Sequence, residues 1–157
     1  MDQKQRFAVA AGGIVALVAV SFLYLGYGTG ETAGMDAGNA ELVALGKPLY
    51  DANCASCHGL NLEGQANWRV PLPAGGLPAP PHDETGHTWH HPDKLLFDYT
   101  KFGGARIAPP DFKSNMPGFE ETLSDKEIWA VLSYIESRWP DDVRKRQSYI
   151  NRQASNN

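Results

Sequence analysis

The chain has 157 residues, of which 42% are hydrophobic, and a formal net charge of −4 at pH 7. This length accommodates one domain with accessory segments. The mildly acidic balance argues against a nucleic-acid partner, because proteins that bind nucleic acid present a basic face.

The N-terminal region contains a long apolar run. Residues 7–28 include no charged side chain, and about 20 apolar residues span the hydrocarbon core of a membrane. Lys4 and Arg6 precede the run, whereas the segment after it is acidic, so the positive-inside bias places residues 1–6 in the cytoplasm. We predict a single-pass, membrane-inserted anchor in the inner membrane, with the rest of the chain facing the periplasm. A cleavable signal peptide is the alternative, but the candidate cleavage site at residues 38–40 lies well beyond the apolar run.

A flexible linker and a helix are predicted next. Residues 29–39 are rich in glycine, alanine and threonine, a composition typical of linkers. Asn39 suits the N-cap of a helix that leads into residues 54–58. Pro48 is expected to kink this helix or to mark where it restarts, because proline lacks the N–H that an interior position donates. The helical domain is predicted to occupy residues 40–140.

The segment Cys54-Ala55-Ser56-Cys57-His58 has the spacing of a covalent haem attachment site. Two thiols separated by two residues on a helical turn can each bond one vinyl group of haem, and the adjacent imidazole then reaches the iron. A disulfide or part of a zinc site are the alternatives, yet a zinc site usually needs four Cys or His ligands and no second cysteine pair exists. We predict one covalent haem c bound by Cys54, Cys57 and His58.

Residues 59–91 are rich in proline and glycine and predict a long ordered loop. Four of the five histidines lie in its final part, residues 82–91. They could bind a second metal, because imidazole and carboxylate suit copper or zinc, or they could hydrogen-bond within the loop and around the haem edge. We favour the second interpretation because the run has no fixed ligand spacing. Candidates for covering the haem or pairing with its propionates are Trp68, Arg69, Trp89 and Arg106.

Met116 is the best candidate for the second axial ligand of the iron. A methionine most often fills a core, but Met116 lies in a loop rich in proline and glycine, which presents a side chain rather than packing it. Met35 falls in the predicted linker, and Met1 would lie across the membrane. Thioether ligation favours the ferrous state and raises the reduction potential.

Two further helices and an extension follow the loop. Pro92 suits the first position of a helix that the glycine pair at 103–104 ends. A capping box at residues 124–127 begins a helix with an apolar stripe, which Pro140 ends. Residues 141–157 are predicted to form a polar extension that is helical up to a frayed end.

These motifs together resemble the class I cytochrome c family. The resemblance rests on YDANCASCHG, NMPGF and LSDKEIWAVLSYIESRWP, and it covers residues 39–139. It implies an all-α, class I cytochrome c fold around the haem, in which the first helix crosses the last. Gly46 and Tyr50 are then expected to meet Leu132 and Tyr134 of the last helix.

The resemblance also implies roles for individual residues at the iron. His58 would be the proximal ligand and Met116 the distal ligand. A proline carbonyl usually accepts the other N–H of the proximal histidine, and Pro80 or Pro81 is the nearest match in this sequence.

With both axial positions filled, we expect outer-sphere electron transfer rather than enzyme activity, and no small-molecule substrate. The partners would be a redox protein donor and acceptor in the membrane or periplasm. Two alternatives stay open: a fixed haem subunit of a larger membrane oxidoreductase, and a haem enzyme or sensor in which Met116 is displaced. Lys101, Arg106 and Lys113 lie near Met116 in the sequence and predict a locally basic docking face, unless they are scattered solvated charges.

Overall fold

The computed structural model describes residues 34–156, and this part of the chain is helical without β-strands. The predicted cytoplasmic segment 1–6 and anchor 7–28 lie outside the described residues. The described helices, in chain order, are α1 (Ala40–Asn53), α2 (Ala55–His58), a 3-10 turn (Thr88–His90), α3 (Asp93–Phe102), α4 (Gly104–Ile107), α5 (Asp125–Ser137) and α6 (Asp141–Ala154). Among these helices, none combines the length and the apolar character that crossing a membrane requires.

Local capping signals determine where the helices begin. The Asn39 side chain accepts hydrogen bonds from two backbone N–H groups in the first turn of α1. Ser124 and Glu127 form a reciprocal capping box at the start of α5. Both predictions are confirmed. Pro92 differs from its prediction: its backbone is extended, with ψ 152°, so it is the N-cap of α3 rather than its first helical residue.

Helix α1 is continuous through Pro48 and does not restart there. Its packing on α5, the most extensive contact between described helices, offsets the loss of one backbone hydrogen bond. A Cβ atom at Gly46 would lie 1.9 Å from the carbonyl oxygen of Ala130, so this close approach requires glycine. The Tyr50 and Tyr134 rings lie 5.4 Å apart. The implied packing of the first helix against α5 is therefore confirmed: Tyr134 is a contact as expected, and Gly46 comes closest to Ala130 rather than to Leu132.

The core lies between α1, α3 and α5, and α6 closes one side of it. Its buried apolar side chains include Tyr50, Leu62, Phe97, Ile128, Val131, Trp139 and Val143. The extension beyond residue 140 is helical as predicted, and it buries Val143 and Gln147. Gln147 and Asn151 both donate to the Asp93 carboxylate at the start of α3. The extension is thus an integral part of the domain rather than a free polar tail.

The described part of the predicted linker, residues 34–39, is attached to the domain. Three successive backbone N–H groups donate to side chains of α3 and α5: Met35 to Asp93 (3.1 Å), Asp36 to Ser133 (3.0 Å) and Ala37 to Glu136 (2.9 Å). This differs from the flexible linker that the composition predicted. The acceptors lie 58 to 99 residues further along the chain, so the local sequence carries no sign of them.

Candidate haem-binding site

The two cysteines lie where α1 ends and α2 begins. Cys54 is the residue between the two helices, and α2 carries Cys57 and His58. The two cysteines are not joined in a disulfide; Cys54 is partly buried and Cys57 is exposed. Burial, with Cys57 close by, raises the pKa of Cys54 to about 11, so the unattached side chain is a neutral thiol at pH 7. Two thiols and an imidazole on one helical turn are the donor set that covalent haem attachment needs.

The His58 ring is buried and its tautomer is set by one hydrogen bond. Nδ1 lies 2.8 Å from the carbonyl oxygen of Pro80. A carbonyl can only accept, so Nδ1 carries the proton and Nε2 is left unprotonated for a metal. Burial lowers the pKa of His58, against the opposing effect of the Pro80 hydrogen bond. The ring is therefore neutral at pH 7, the form that binds iron. Pro80, and not Pro81, makes this contact.

Two glycines let the loop bring Pro80 to His58. A Cβ atom at Gly64 would lie 2.6 Å from the carbonyl carbon of Pro80, and Gly64 has a φ of +67°. A Cβ atom at Gly86 would lie 2.0 Å from the Pro81 oxygen. The proline pair is thus enclosed by backbone on both sides. Sequence reasoning did not identify either glycine, because only the folded loop brings them beside the prolines.

His82 packs directly against the face of His58. The ring centroids lie 3.9 Å apart with an interplanar angle of 28°, and His82 Nδ1 lies 2.9 Å from Thr88 Oγ1. Burial lowers the pKa of His82 well below its ordinary value, and nearby His58 and His87 act in the same direction. His82 is therefore neutral at pH 7. The sequence showed it only as one member of the histidine run 82–91.

The remaining histidines of that run pack against aromatic rings. His87 stacks on Trp68 with centroids 5.5 Å apart, and the Arg69 guanidinium lies 3.9 Å from the centre of the same Trp68 ring. His90 stacks on Trp89 at 3.5 Å. Within residues 34–156, no group of three or more His, Cys, Asp or Glu side chains is placed to hold a metal ion.

Backbone contacts hold the loop around Met116 against the junction of α3 and α4. The Gly104 N–H donates to the Met116 carbonyl at 3.1 Å. Gly103 has a φ of +81°, and a Cβ atom there would lie 2.6 Å from the Gly118 nitrogen. Two glycines therefore allow the two backbones to touch. The Met116 side chain is partly buried, and its role as an axial ligand stays a prediction.

Trp89 and Arg106 make contacts with protein groups. Trp89 Nε1 donates to the Glu84 carbonyl at 3.3 Å. Arg106 pairs with Glu120 at 2.6 Å, and its guanidinium lies 4.9 Å from the centre of the Phe102 ring. Their predicted roles in covering the haem or pairing with its propionates stay predictions.

The basic residues near Met116 are largely engaged in other interactions. Lys101 pairs with Asp125 at 2.6 Å, and Arg106 pairs with Glu120 as described above. Lys113 donates to the Ala74 carbonyl at 2.6 Å. Two of the three positive charges therefore face a carboxylate, so less free positive charge is available for docking than the sequence suggested.

An all-helical domain with two unpaired cysteines and a buried, neutral imidazole beside them is suited to covalent haem attachment. The donor set fits haem c, with Cys54 and Cys57 as the thioether positions and His58 as the nitrogen ligand. The sequence model of the cytochrome c family matches residues 43–139, and the chain belongs to this family. It is a haem c electron-transfer protein, and the bound haem supplies the one-electron chemistry.

Two curated relatives illustrate the similarity. Over 103 residues the chain is 30% identical to the "Cbb3-type cytochrome c oxidase subunit CcoP" of an Azospirillum species, covering 64% of this chain and 30% of that protein. Over 22 residues it is 68% identical to "Cytochrome c-554(547)" of Halothiobacillus neapolitanus, covering 14% of this chain and 24% of that protein. The matches thus span less than a third of either relative. No solved structure matches the chain.

Proposed function

We propose that this chain is a membrane-tethered, single-haem cytochrome that passes single electrons between complexes of a respiratory or photosynthetic membrane, on the periplasmic side. The observation that carries this proposal is the order of its parts: an uncharged apolar run, residues 7–28, precedes a haem-attachment domain. Lys4 and Arg6 on the N-terminal side favour a periplasmic position for the domain. A tether raises the effective concentration of the domain near membrane partners.

The attachment of residues 34–39 to the domain supports a short tether. If residues 7–28 span the membrane, only residues 29–34 separate the span from Met35, the first residue whose backbone bonds to the domain. Six residues extend at most about 22 Å. The domain would therefore stay close to the membrane surface, where partners embedded in the same membrane present their redox centres.

A fixed haem subunit of a larger oxidoreductase is the second candidate. One observation favours it: the relative with 30% identity over 103 residues carries the name of an oxidase subunit. Both candidates use the same haem chemistry and the same anchor, so they differ in whether the chain dissociates from its partner.

Purification from native membranes distinguishes the two candidates. The chain would carry a C-terminal affinity tag and be extracted in a gentle detergent. A carrier is expected to elute alone, with the haem spectrum of a single c-type centre and an intact N-terminal segment on sequencing. Elution in a stable complex with other redox subunits would support the subunit instead.

A matched variant tests the tether itself. Replacing residues 1–33 with a cleavable export signal should move the haem-containing protein from the membrane fraction to the soluble periplasmic fraction. A mature native N-terminus near Ala40, or membrane association that survives this replacement, would contradict the proposed anchor.

A further inference from the structure

The orientation of the His58 ring is not determined by its hydrogen bond alone. The Pro80 carbonyl holds Nδ1 at 2.8 Å, but a carbonyl oxygen accepts over a broad range of directions. The ring could therefore turn within that range while Nε2 remained directed at the iron. A flat group packed on the face of the ring removes this freedom, and the His82 ring lies there at 3.9 Å and 28°.

The backbone of His82 is itself fixed on both sides. Its N–H donates to the Leu62 carbonyl at 2.8 Å, and its carbonyl accepts from Trp139 Nε1 at 2.7 Å. Leu62 and Trp139 are both buried, with 2% exposure each. The peptide that carries the ring is therefore connected to the loop and to the end of α5.

The side chain of His82 is held as well. Nδ1 bonds to the buried Thr88 hydroxyl at 2.9 Å, and the ring meets Tyr50 edge-on at 6.3 Å. Tyr50 donates in turn to the Gly59 carbonyl, next to His58 in the chain, at 2.9 Å. His82 thus has one well-defined ring position against the face of His58.

We propose that His82 is a positioning residue that sets the plane of the His58 imidazole at the haem iron through ring stacking. This inference rests on His58 being the proximal ligand. The plane of an axial imidazole determines how unpaired spin spreads over a ferric haem, so the pattern of the haem methyl resonances reports it. Groups behind a ligand tune a metal site in this way without touching the metal.

Two variants separate the ring from its hydrogen bond. His82→Phe keeps a flat ring on His58 and loses the bond to Thr88, whereas His82→Gln keeps a polar group for Thr88 and loses the ring. In the ferric holoprotein, we expect His82→Phe to retain the wild-type pattern of haem methyl resonances. His82→Gln should shift these resonances and change their order. Circular dichroism and thermal unfolding would show that both variants are folded.

His90→Gln is the matched control, because it removes a ring of the same histidine run that stacks on Trp89 instead of on His58. It should leave the haem methyl resonances unchanged. An unchanged spectrum in folded His82→Gln, or equal changes in both His82 variants, overturns the stacking role. If the wild-type protein carried no covalent haem, the haem function itself would be refuted. That result differs from an unchanged haem spectrum in His82→Gln, so failure of the stacking role and failure of the haem function can be told apart.

Discussion

The segments that carry the two predicted axial ligands are built differently. His58 is 8% exposed, and both the Pro80 carbonyl and the His82 ring contact its ring. Met116 is only partly buried, and its segment is held mainly by backbone hydrogen bonds to the end of α3 and the start of α4. The His58 side thus combines a stacked side chain with a main-chain acceptor, whereas main-chain contacts hold the Met116 side.

This difference predicts how each side responds to change. Side chains that fix one another lose their geometry when one of them changes. A loop held by its backbone tolerates a new side chain, provided that its close approaches are kept. We therefore expect substitutions near His58 to affect haem attachment and stability, and substitution of Met116 to affect the properties of a haem that stays bound.

The largest effect is expected from removing both thiols. Cys54→Ala combined with Cys57→Ala should abolish haem staining after denaturing electrophoresis, because no thioether bond can form. Ser56→Ala, which changes the exposed residue between them, should stain like the wild type. Haem that remains on the double variant after denaturation would show that another residue attaches it.

A second, smaller effect is expected on the other side of the iron. Met116→Ala should keep the covalent haem but lose the weak far-red absorption band of sulfur-ligated ferric haem, and its midpoint potential should fall. The reduced variant should also bind carbon monoxide readily, because the axial position is open. Asn115→Ala in the same loop is the control. A far-red band that survives in Met116→Ala would assign the ligand to another residue.

The glycines near each ligand segment give a direct comparison in stability. Gly86→Ala places a Cβ atom 2.0 Å from the Pro81 oxygen, whereas Gly118→Ala places one 2.8 Å from the Phe102 carbonyl carbon. We expect losses in unfolding free energy of about 3 kcal/mol for Gly86→Ala and about 1 kcal/mol for Gly118→Ala. Thermal and denaturant unfolding of the holoproteins measures both.

Gly38→Ala is the control for this pair, because its Cβ atom would lie 3.2 Å from one exposed carboxylate oxygen, which can shift. It should change stability by less than about 0.5 kcal/mol. A greater loss in unfolding free energy for Gly118→Ala than for Gly86→Ala would contradict the expectation that the His58 side is the more sensitive of the two.

The sequence predicted the parts of the fold that depend on near neighbours. The N-cap at Asn39 and the capping box at Ser124 are recognisable because donor and acceptor lie two or three residues apart. The spacing of Cys54, Cys57 and His58 is equally local. Interactions between residues only a few positions apart can be predicted from the sequence without knowing the fold.

Contacts across the loop could not be predicted in the same way. His58 and His82 are 24 positions apart, and the loop between them has no periodicity that pairs the two rings. Pro48 shows the reverse case, since local propensity favoured a break where tertiary packing maintains the helix. The attachment of residues 35–37 was missed because its acceptors are on α3 and α5.

The smallest effect on stability is expected where residues 35–37 attach to the domain. Neither the His58 segment nor the Met116 segment takes part in this attachment, so it serves as a reference for both. Ala37 N–H donates to the Glu136 carboxylate at 2.9 Å. Burial raises the pKa of Glu136 above its ordinary value, opposed by the Ala37 hydrogen bond and assisted by Asp93 and Asp36. A raised pKa in the folded state means that this group costs stability above the raised pKa, and that the cost disappears below the ordinary pKa.

Glu136→Gln keeps an oxygen acceptor for Ala37 and removes the charge. The variant should therefore be more stable than the wild type at pH 7, by less than about 1 kcal/mol because the side chain is partly exposed. This advantage should shrink as the pH falls through the raised pKa and vanish below the ordinary pKa of a glutamate, about 4. Glu121→Gln, which removes the same charge at an exposed position, is the control. Denaturant unfolding at pH 7 and at about pH 4 measures both differences. A Glu136→Gln variant that is less stable than the wild type at pH 7 would mean that the Ala37 N–H needs a charged acceptor.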